Sequence, residues 1–250
     1  MILTGKVIVP GKVEGEVLKV NGSFSFLGGV DPESGIVRDI NKSIKDRIFV
    51  FESSAGSTVG SYIIYGLKFY NNAPLALICR YADETVIIGA NIAKIPTITN
   101  IDVSLIENGD RIKIDNDKIE INIEPTEVGT SILMNSNKIL ILKRSDKVST
   151  YRGKWAGVSG YREDLEPEKA ALREIVEETG INDPKLKKYG GYILLRDKNK
   201  LWKIHIFLWE VNEKEIKIDW EHTEYRWIDP KKIDEYDTVP GLREVINRLV

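Results

Sequence analysis

Three carboxylates in the run Arg173-Glu174-Ile175-Val176-Glu177-Glu178-Thr179-Gly180-Ile181 fall at i, i+3 and i+4, so on a helix they share one face. Leu172, Ile175 and Val176 fall on the opposite face and are expected to anchor the helix. Like charges at this spacing cost roughly 0.2–0.5 kcal/mol per pair, so the arrangement works against the helix that carries it. A divalent cation held between the carboxylates would remove that cost. Oxygen ligands suit a hard ion such as Mg²⁺, which commonly shares its coordination with substrate phosphates. Without an ion, the same residues would form a solvated acidic face.

The elements around the run are legible. Pro167 suits a first helical position, and Gly180 suits a left-handed cap that ends the helix. Upstream, residues 130–142 read as two short strands about the turn Asn135-Ser136-Asn137, with Lys143 and Arg144 following the second. Downstream, strands are expected over 192–196, 202–211 and 225–228, and a closing helix over about 241–250. Glu221 and Glu224 precede Trp227 and are candidates for a further metal ligand; His222 reads as an ordinary surface or packing residue.

From Gly153-Lys154-Trp155 to Ile181 the chain resembles the Nudix hydrolases, whose signature is a glycine-containing loop followed by a helix with R-E-apolar-x-E-E-x-G-apolar. Gly160 and Glu166 keep the family spacing; six residues then separate Glu166 from Arg173, one fewer than in the family pattern. The resemblance implies an α/β/α sandwich over residues 126–250. It further implies Mg²⁺ or Mn²⁺ on Glu174, Glu177 and Glu178, with Gly160 shaping the loop at the metal. Glu174 would activate water, Arg173 would orient a glutamate, and Lys143 and Arg144 are candidates for phosphate contact. The reaction implied is hydrolysis of a diphosphate. The fold also hosts an isopentenyl diphosphate isomerase that needs an active-site cysteine, and this half of the chain has none.

The first half reads as Val- and Ile-rich β structure cut by glycine turns, with strands expected over 6–9, 15–20 and 47–51. The loop Gly56-Ser57-Thr58-Val59-Gly60-Ser61 opens onto one helix, expected over about 60–70 with Tyr62, Ile63, Tyr65 and Gly66 on its apolar side. A small-residue loop before a helix presents N–H groups to an anion, and equally serves as a plain turn and cap. Residues 28–32, including Gly29 and Asp31, read as a tight turn. The stretches Gly5–Leu18, Ser25–Gly35, Gly56–Tyr62 and Gly89–Pro96 are similar in order and spacing to the small subunit of aconitase-X-type dehydratases. The segment 39–47 is shorter than that family's usual linker.

In archaea this subunit belongs to phosphomevalonate dehydratase of the modified mevalonate pathway. The resemblance therefore implies a swivelling, barrel-like β/α domain over residues 1–124 that closes on a large subunit carrying a 4Fe–4S cluster. It implies dehydration of 5-phosphomevalonate to an anhydro-phosphomevalonate, with Ser57 as base and Gly56, Thr58, Ser61, Gly29 and Asp31 at the substrate. No histidine occurs before residue 205, so the commonest general base is absent from this half.

Composition bounds these readings. The chain has 250 residues, room for one large domain or two ordinary ones, and all five tryptophans and both histidines fall in its second half. The likeliest junction spans residues 119–129. A formal net charge of −2 gives no electrostatic reason to expect nucleic acid or an anionic membrane as partner. No apolar stretch is long enough for a membrane span, residues 1–10 lack a signal-peptide layout, and the lone Cys79 fits a reducing cytoplasm. One cysteine also excludes a cysteine-ligated cluster built by this chain alone. The leading expectation is a dehydratase small subunit fused to a Mg²⁺-dependent diphosphate hydrolase, with the large subunit as partner and small phosphates as substrates. The alternatives are a housecleaning hydrolase of nucleoside diphosphates with a non-catalytic interaction domain, or a regulatory scaffold.

Overall fold

The computed structural model describes residues 1–250 except 164, 165 and 214. The chain forms two compact units, Met1–Glu124 and Pro125–Val250, with residues 122–124 between the last strand of one and the first strand of the other.

In the first unit, the apolar runs at 48–51 and 76–79 become the parallel strands Ile48–Ser54 and Ala76–Tyr81, covered on both faces. Alternation sends Phe49, Phe51, Leu77 and Cys79 into one cluster and Ile48, Val50, Ala76 and Ile78 into another. The helices Gly60–Phe69 and Glu84–Ala93 are the crossovers between parallel strands, and they close the first cluster with Ile64, Leu67, Val86 and Ala90. The sheet runs Ile2–Thr4, Lys118–Ile121, Arg111–Asp115, Lys12–Lys19, Ile48–Ser54, Ala76–Tyr81, Thr97–Thr99, Lys6–Val9. Its two outermost strands are consecutive in the chain. The sheet therefore curls until its ends meet at Gly5, where a Cβ would come within 2.6 Å of the Thr99 carbonyl oxygen. This gives the barrel-like β/α body expected from the swivel-domain resemblance.

The first helix differs from its expected orientation. Gly60, Ser61, Ile64 and Leu67 are its buried residues, whereas Tyr62 and Tyr65 are exposed. Packing against the second helix decides this, because a Cβ on Gly89 would lie 2.9 Å from Ile64 Cβ and 3.1 Å from Ser61 Cα. That second helix was not expected from the pattern, since Val86, Ile87 and Ile88 are β-branched. Asp83 starts it by accepting a hydrogen bond from the Val86 N–H at 3.1 Å.

In the second unit the hairpin about Ser136 and Asn137 is present, both residues having the positive φ of 48° and 64° that a two-residue turn needs. The strands are longer than expected: Pro125–Asn135, Lys138–Arg144, Lys185–Asp197, Lys200–Glu210 and His222–Ile228. Pro125–Asn135 is prolonged by its parallel pairing with Lys200–Glu210, from Pro125 opposite Leu201 to Met134 opposite Glu210. The sheet is sandwiched. Leu133, Leu140, Phe207 and Trp209 face Ala171 and Ile175 of the helix Pro167–Thr179, while Ile132, Ile139, Ile141 and Ile206 face Val245, Ile246 and Leu249 of the helix Leu242–Leu249. No helix of the described residues is long and apolar enough to cross a membrane.

Candidate active site

The acidic helix starts with Pro167 in its first turn and ends at Gly180, whose φ of 73° is the left-handed cap. Its faces differ from the expectation at two positions. Val176 is 40% exposed and anchors nothing, while Glu178 is 4% exposed and lies on the buried side with Ala171 and Ile175. The three carboxylates therefore occupy different environments. Glu177 stands in solvent; the Glu174 carboxyl is nearly covered, and Glu178 is sealed beneath it.

Gly160 makes this arrangement possible. A Cβ there would fall 1.9 Å from Glu174 Cδ, so the strand Val158–Tyr161 passes directly against that carboxyl group. Arg173 holds the same carboxyl from the other side, with Nη2 at 2.6 Å from Glu174 Oε1, Nη1 at 2.7 Å from Glu163 Oε2 and Nη2 at 3.1 Å from the Tyr161 carbonyl oxygen. Its Nε stands 3.8 Å from Glu177. Burial raises the Glu174 pKa, partly countered by Arg173, and the charges of Glu177 and Glu221 add to the rise. Such a group holds a proton more readily than an ordinary carboxylate, which suits a base that takes one from water.

Glu178 is more strongly perturbed. Burial pushes its pKa well above the ordinary value, the Ser159 N–H opposes this by donating to Oε1 at 3.3 Å, and Glu174, Asp219 and Glu221 reinforce it. Its Oε2 is buried with no hydrogen-bond partner, 3.8 Å from His222 Nε2. His222 is buried, so it is a packing residue and not a surface one. Its pKa is lowered by burial despite the Asp219 carboxylate 2.8 Å from Nδ1.

A cleft of about 680 Å³ opens beside these groups and is lined by Gly160, Arg173, Glu174, Glu177 and Glu221, but not by Glu178. Arg144 also lines it and is steadied by Nε donating to the Thr150 carbonyl oxygen at 3.1 Å. Lys143 does not; it points to Glu224 at 4.0 Å, and Glu224 is bound by Arg226. Of the two downstream glutamates, Glu221 is therefore the one at the cleft.

In the first unit the loop 55–59 is exposed and follows the carboxyl end of the parallel strand Ile48–Ser54. Ser57 Oγ accepts from the Val59 N–H at 3.3 Å, and the Ser57 carbonyl oxygen accepts from the Gly60 N–H at 2.9 Å. Ser61 lies inside the helix, its hydroxyl donating back to the Thr58 carbonyl oxygen at 2.7 Å. Gly56 has φ 103°, and a Cβ there would meet Ser25 Oγ at 2.7 Å, so the loop abuts the Ser25–Gly29 turn. Asp31 is committed to its own turn, accepting from Ser34 Oγ at 2.5 Å and from the Ser34 and Glu33 N–H groups. Gly29 packs against the Phe24 ring, 2.9 Å from the nearest ring carbon to a built Cβ.

Known families match both units. The aconitase X swivel domain model matches residues 2–123, and the NUDIX domain model matches residues 125–249. A phosphomevalonate dehydratase small subunit from Thermococcus kodakarensis is 47% identical over 128 residues, covering 49% of this chain and 96% of that protein. The chain belongs to both families, joined end to end. The crystal structure of Thermococcus kodakaraensis aconitase X in its holo-form aligns with 48% of this chain and 98% of its own at 45% identity and a TM-score of 0.47. A MutT protein from Methanosarcina mazei Go1 aligns over 52% of this chain and 95% of its own at 25% identity and a TM-score of 0.44.

Nudix domains generally act with divalent cations. Among the described residues, no group of three or more His, Cys, Asp and Glu side chains stands close enough to hold a metal ion. The donor chemistry of the Nudix helix nevertheless fits one. Glu178 Oε2 is an orphaned buried oxygen, and Glu174 and Glu221 both act on Glu178 as like charges. The Nudix signature did not disclose Glu163, Tyr161, Asp219 or His222 as neighbours of these carboxylates. Only Glu163 and Tyr161, within the loop that begins at Gly160, carried a positional signal.

Proposed function

We propose that the second unit is a divalent-cation-dependent diphosphate hydrolase and that the first is the small subunit of a two-subunit phosphomevalonate dehydratase. The observation supporting the hydrolase reading is the Glu174 carboxyl, gripped by Arg173 and passed closely by Gly160, at a cleft that Glu177, Glu221 and Arg144 also line. Arg173 fixes the Glu174 carboxyl, Gly160 lets the loop approach it, and Glu174 accepts the proton of the attacking water. Water adds to one phosphorus and the bridging P–O bond breaks. The products are two phosphate-bearing fragments, with the proton passing from the carboxylate to solvent. Glu174, Glu177 and Glu178 would hold the cation, which would supply charge neutralisation at the phosphoryl oxygens.

The dehydratase reading is supported by the named relatives, which match nearly their full length to the first unit. Ser57 lies on an exposed loop and would act as base when the large subunit covers it. The net change is loss of a proton and a hydroxide as water from 5-phosphomevalonate, leaving a carbon–carbon double bond. The 4Fe–4S cluster of the large subunit would supply Lewis acidity at the departing hydroxyl. Val59, Tyr62, Phe69, Ile88 and Ile92 are exposed apolar side chains of the Ser57 loop and the two helices, and they offer that subunit a docking face.

The hydrolase is tested by phosphate release from pyrophosphate and from diphosphate esters with and without Mg²⁺. Activity should require the ion and fall at least 100-fold in Glu177→Gln and in Glu178→Gln. Both variants should remain folded by circular dichroism. Wild-type rates in either would mean that the acidic face is only solvated.

A further inference from the structure

The cleft has a second part that the carboxylates do not use. Val128, Leu195, Ile204, Val239, Leu242 and Val245 line it, and all six belong to or pack against the apolar cluster between the sheet and the helix Leu242–Leu249. This arm is thus a solvent-reachable extension of the core, joined to the charged part that holds Glu174, Glu177 and Arg144.

Resting on the hydrolase reading above, we propose that the apolar arm binds the hydrocarbon chain of an alkyl diphosphate, so the substrate class is the diphosphate of an aliphatic alcohol and not a nucleotide. A nucleobase is read by several donors and acceptors at its edge. The described lining contains no Asn, Gln, Asp or His. Of its six hydroxyls three are committed elsewhere: Thr130 Oγ1 and Ser159 Oγ bond each other at 2.9 Å, and Tyr151 OH donates to Asp197 at 2.6 Å. Among the described residues, Trp202 Nε1 is the one donor of the arm that is buried and unpartnered, enough for a single acceptor but not for a base edge. Nor is there a stacking slot between Tyr161 and Trp202. Their ring centroids are 6.3 Å apart and tilted by 42°, so the rings already touch each other. The volume of about 680 Å³ accommodates a diphosphate and a chain together.

The full chain would be assayed with Mg²⁺ against dimethylallyl diphosphate, geranyl diphosphate, inorganic pyrophosphate, ADP-ribose and dGTP. The expected result is a kcat/KM at least 100-fold higher for geranyl diphosphate than for ADP-ribose or dGTP, rising from five to ten carbons. Leu195→Asn should raise KM for geranyl diphosphate at least tenfold and abolish the chain-length dependence. Val239→Thr, nearly isosteric, should do the same more mildly if Leu195→Asn fails to fold. A preference for either nucleotide, or no gain over pyrophosphate from the chain, would overturn the proposal. Should nothing be hydrolysed, the hydrolase reading fails by itself. Calorimetric binding then still decides the arm: tighter binding of geranyl diphosphate than of ADP-ribose upholds it, and equal or weaker binding overturns it.

Discussion

Glu127 shows how a single carboxylate can tie a loop to a sheet. Burial pushes its pKa up, yet hydrogen bonds from His205 Nε2 at 2.9 Å, Arg162 Nη1 at 2.5 Å and Lys203 Nζ at 3.3 Å hold it at about 2. Arg162 directly follows the strand with Gly160 and Tyr161, so this anchor helps to place the loop at the acidic helix. A folded-state pKa below the ordinary 4.5 stabilises the protein fully above that value. The contribution is lost as pH falls from there towards 2. Glu127→Gln should therefore lower Tm at pH 7, and the gap to wild type should close between pH 4.5 and pH 2 in thermal scans. A gap of equal size at every pH would mean that the pair carries no charge-dependent stability. At this scale the run Arg173–Ile181 was legible through its position-by-position resemblance to the Nudix signature. The Glu127 cluster was not, because its members come from positions 127, 162, 203 and 205 and only strand pairing assembles them.

For the acidic helix, one turn of misreading changes what each residue does. Sequence spacing placed Glu178 with Glu174 and Glu177 on one shared face and Val176 in the core. The packed helix rotates so that Ile175 is fully buried, Glu178 follows it inward and Val176 is exposed. Periodicity cannot foresee this, since a helix with a carboxylate on its inner edge breaks the amphipathic rule that the pattern assumes. Ile175→Ala should cost about 2–5 kcal/mol, the usual range for a large-to-small change in a core. Val176→Ala should stay within about 0.5 kcal/mol, as for a surface substitution. Urea denaturation of both variants checks the assignment, and the reverse ranking would restore the helix orientation inferred from spacing. The same limit explains the swivel-domain helix Gly60–Phe69, where exposed Tyr62 and Tyr65 look apolar in sequence but stand away from the Gly89 contact.

The whole molecule joins two families on two folds, and the fold classes were readable because long motifs, not composition, disclosed them. Composition contributed one firm exclusion. Cys79 is the only cysteine and is buried, its thiol pushed up to about 11 mainly by burial. The purified chain should therefore show no iron–sulfur absorbance and no dehydratase activity by itself. Co-expressed with a cluster-bearing large subunit it should gain activity, and Ser57→Ala should then lower kcat by about 10²–10⁴-fold with little change in subunit affinity. Ser61→Ala should be milder, because that hydroxyl already closes a helical turn onto Thr58. A dead Ser61→Ala beside a live Ser57→Ala would exchange their roles.

The meeting of the sheet's ends at Gly5 bears on how much bare strand edge the first unit exposes. An open sheet offers two long rows of unpaired N–H and C=O groups to any passing strand, the usual start of edge-to-edge aggregation. Here the terminal strands are three and four residues long, Ile2–Thr4 and Lys6–Val9, and each runs out where the other begins. A side chain at Gly5 would be driven against Ile98, Thr99 and Ile101 and would prise the two apart. The residue with no side chain at all is thus what spares the first unit's sheet a long bare edge.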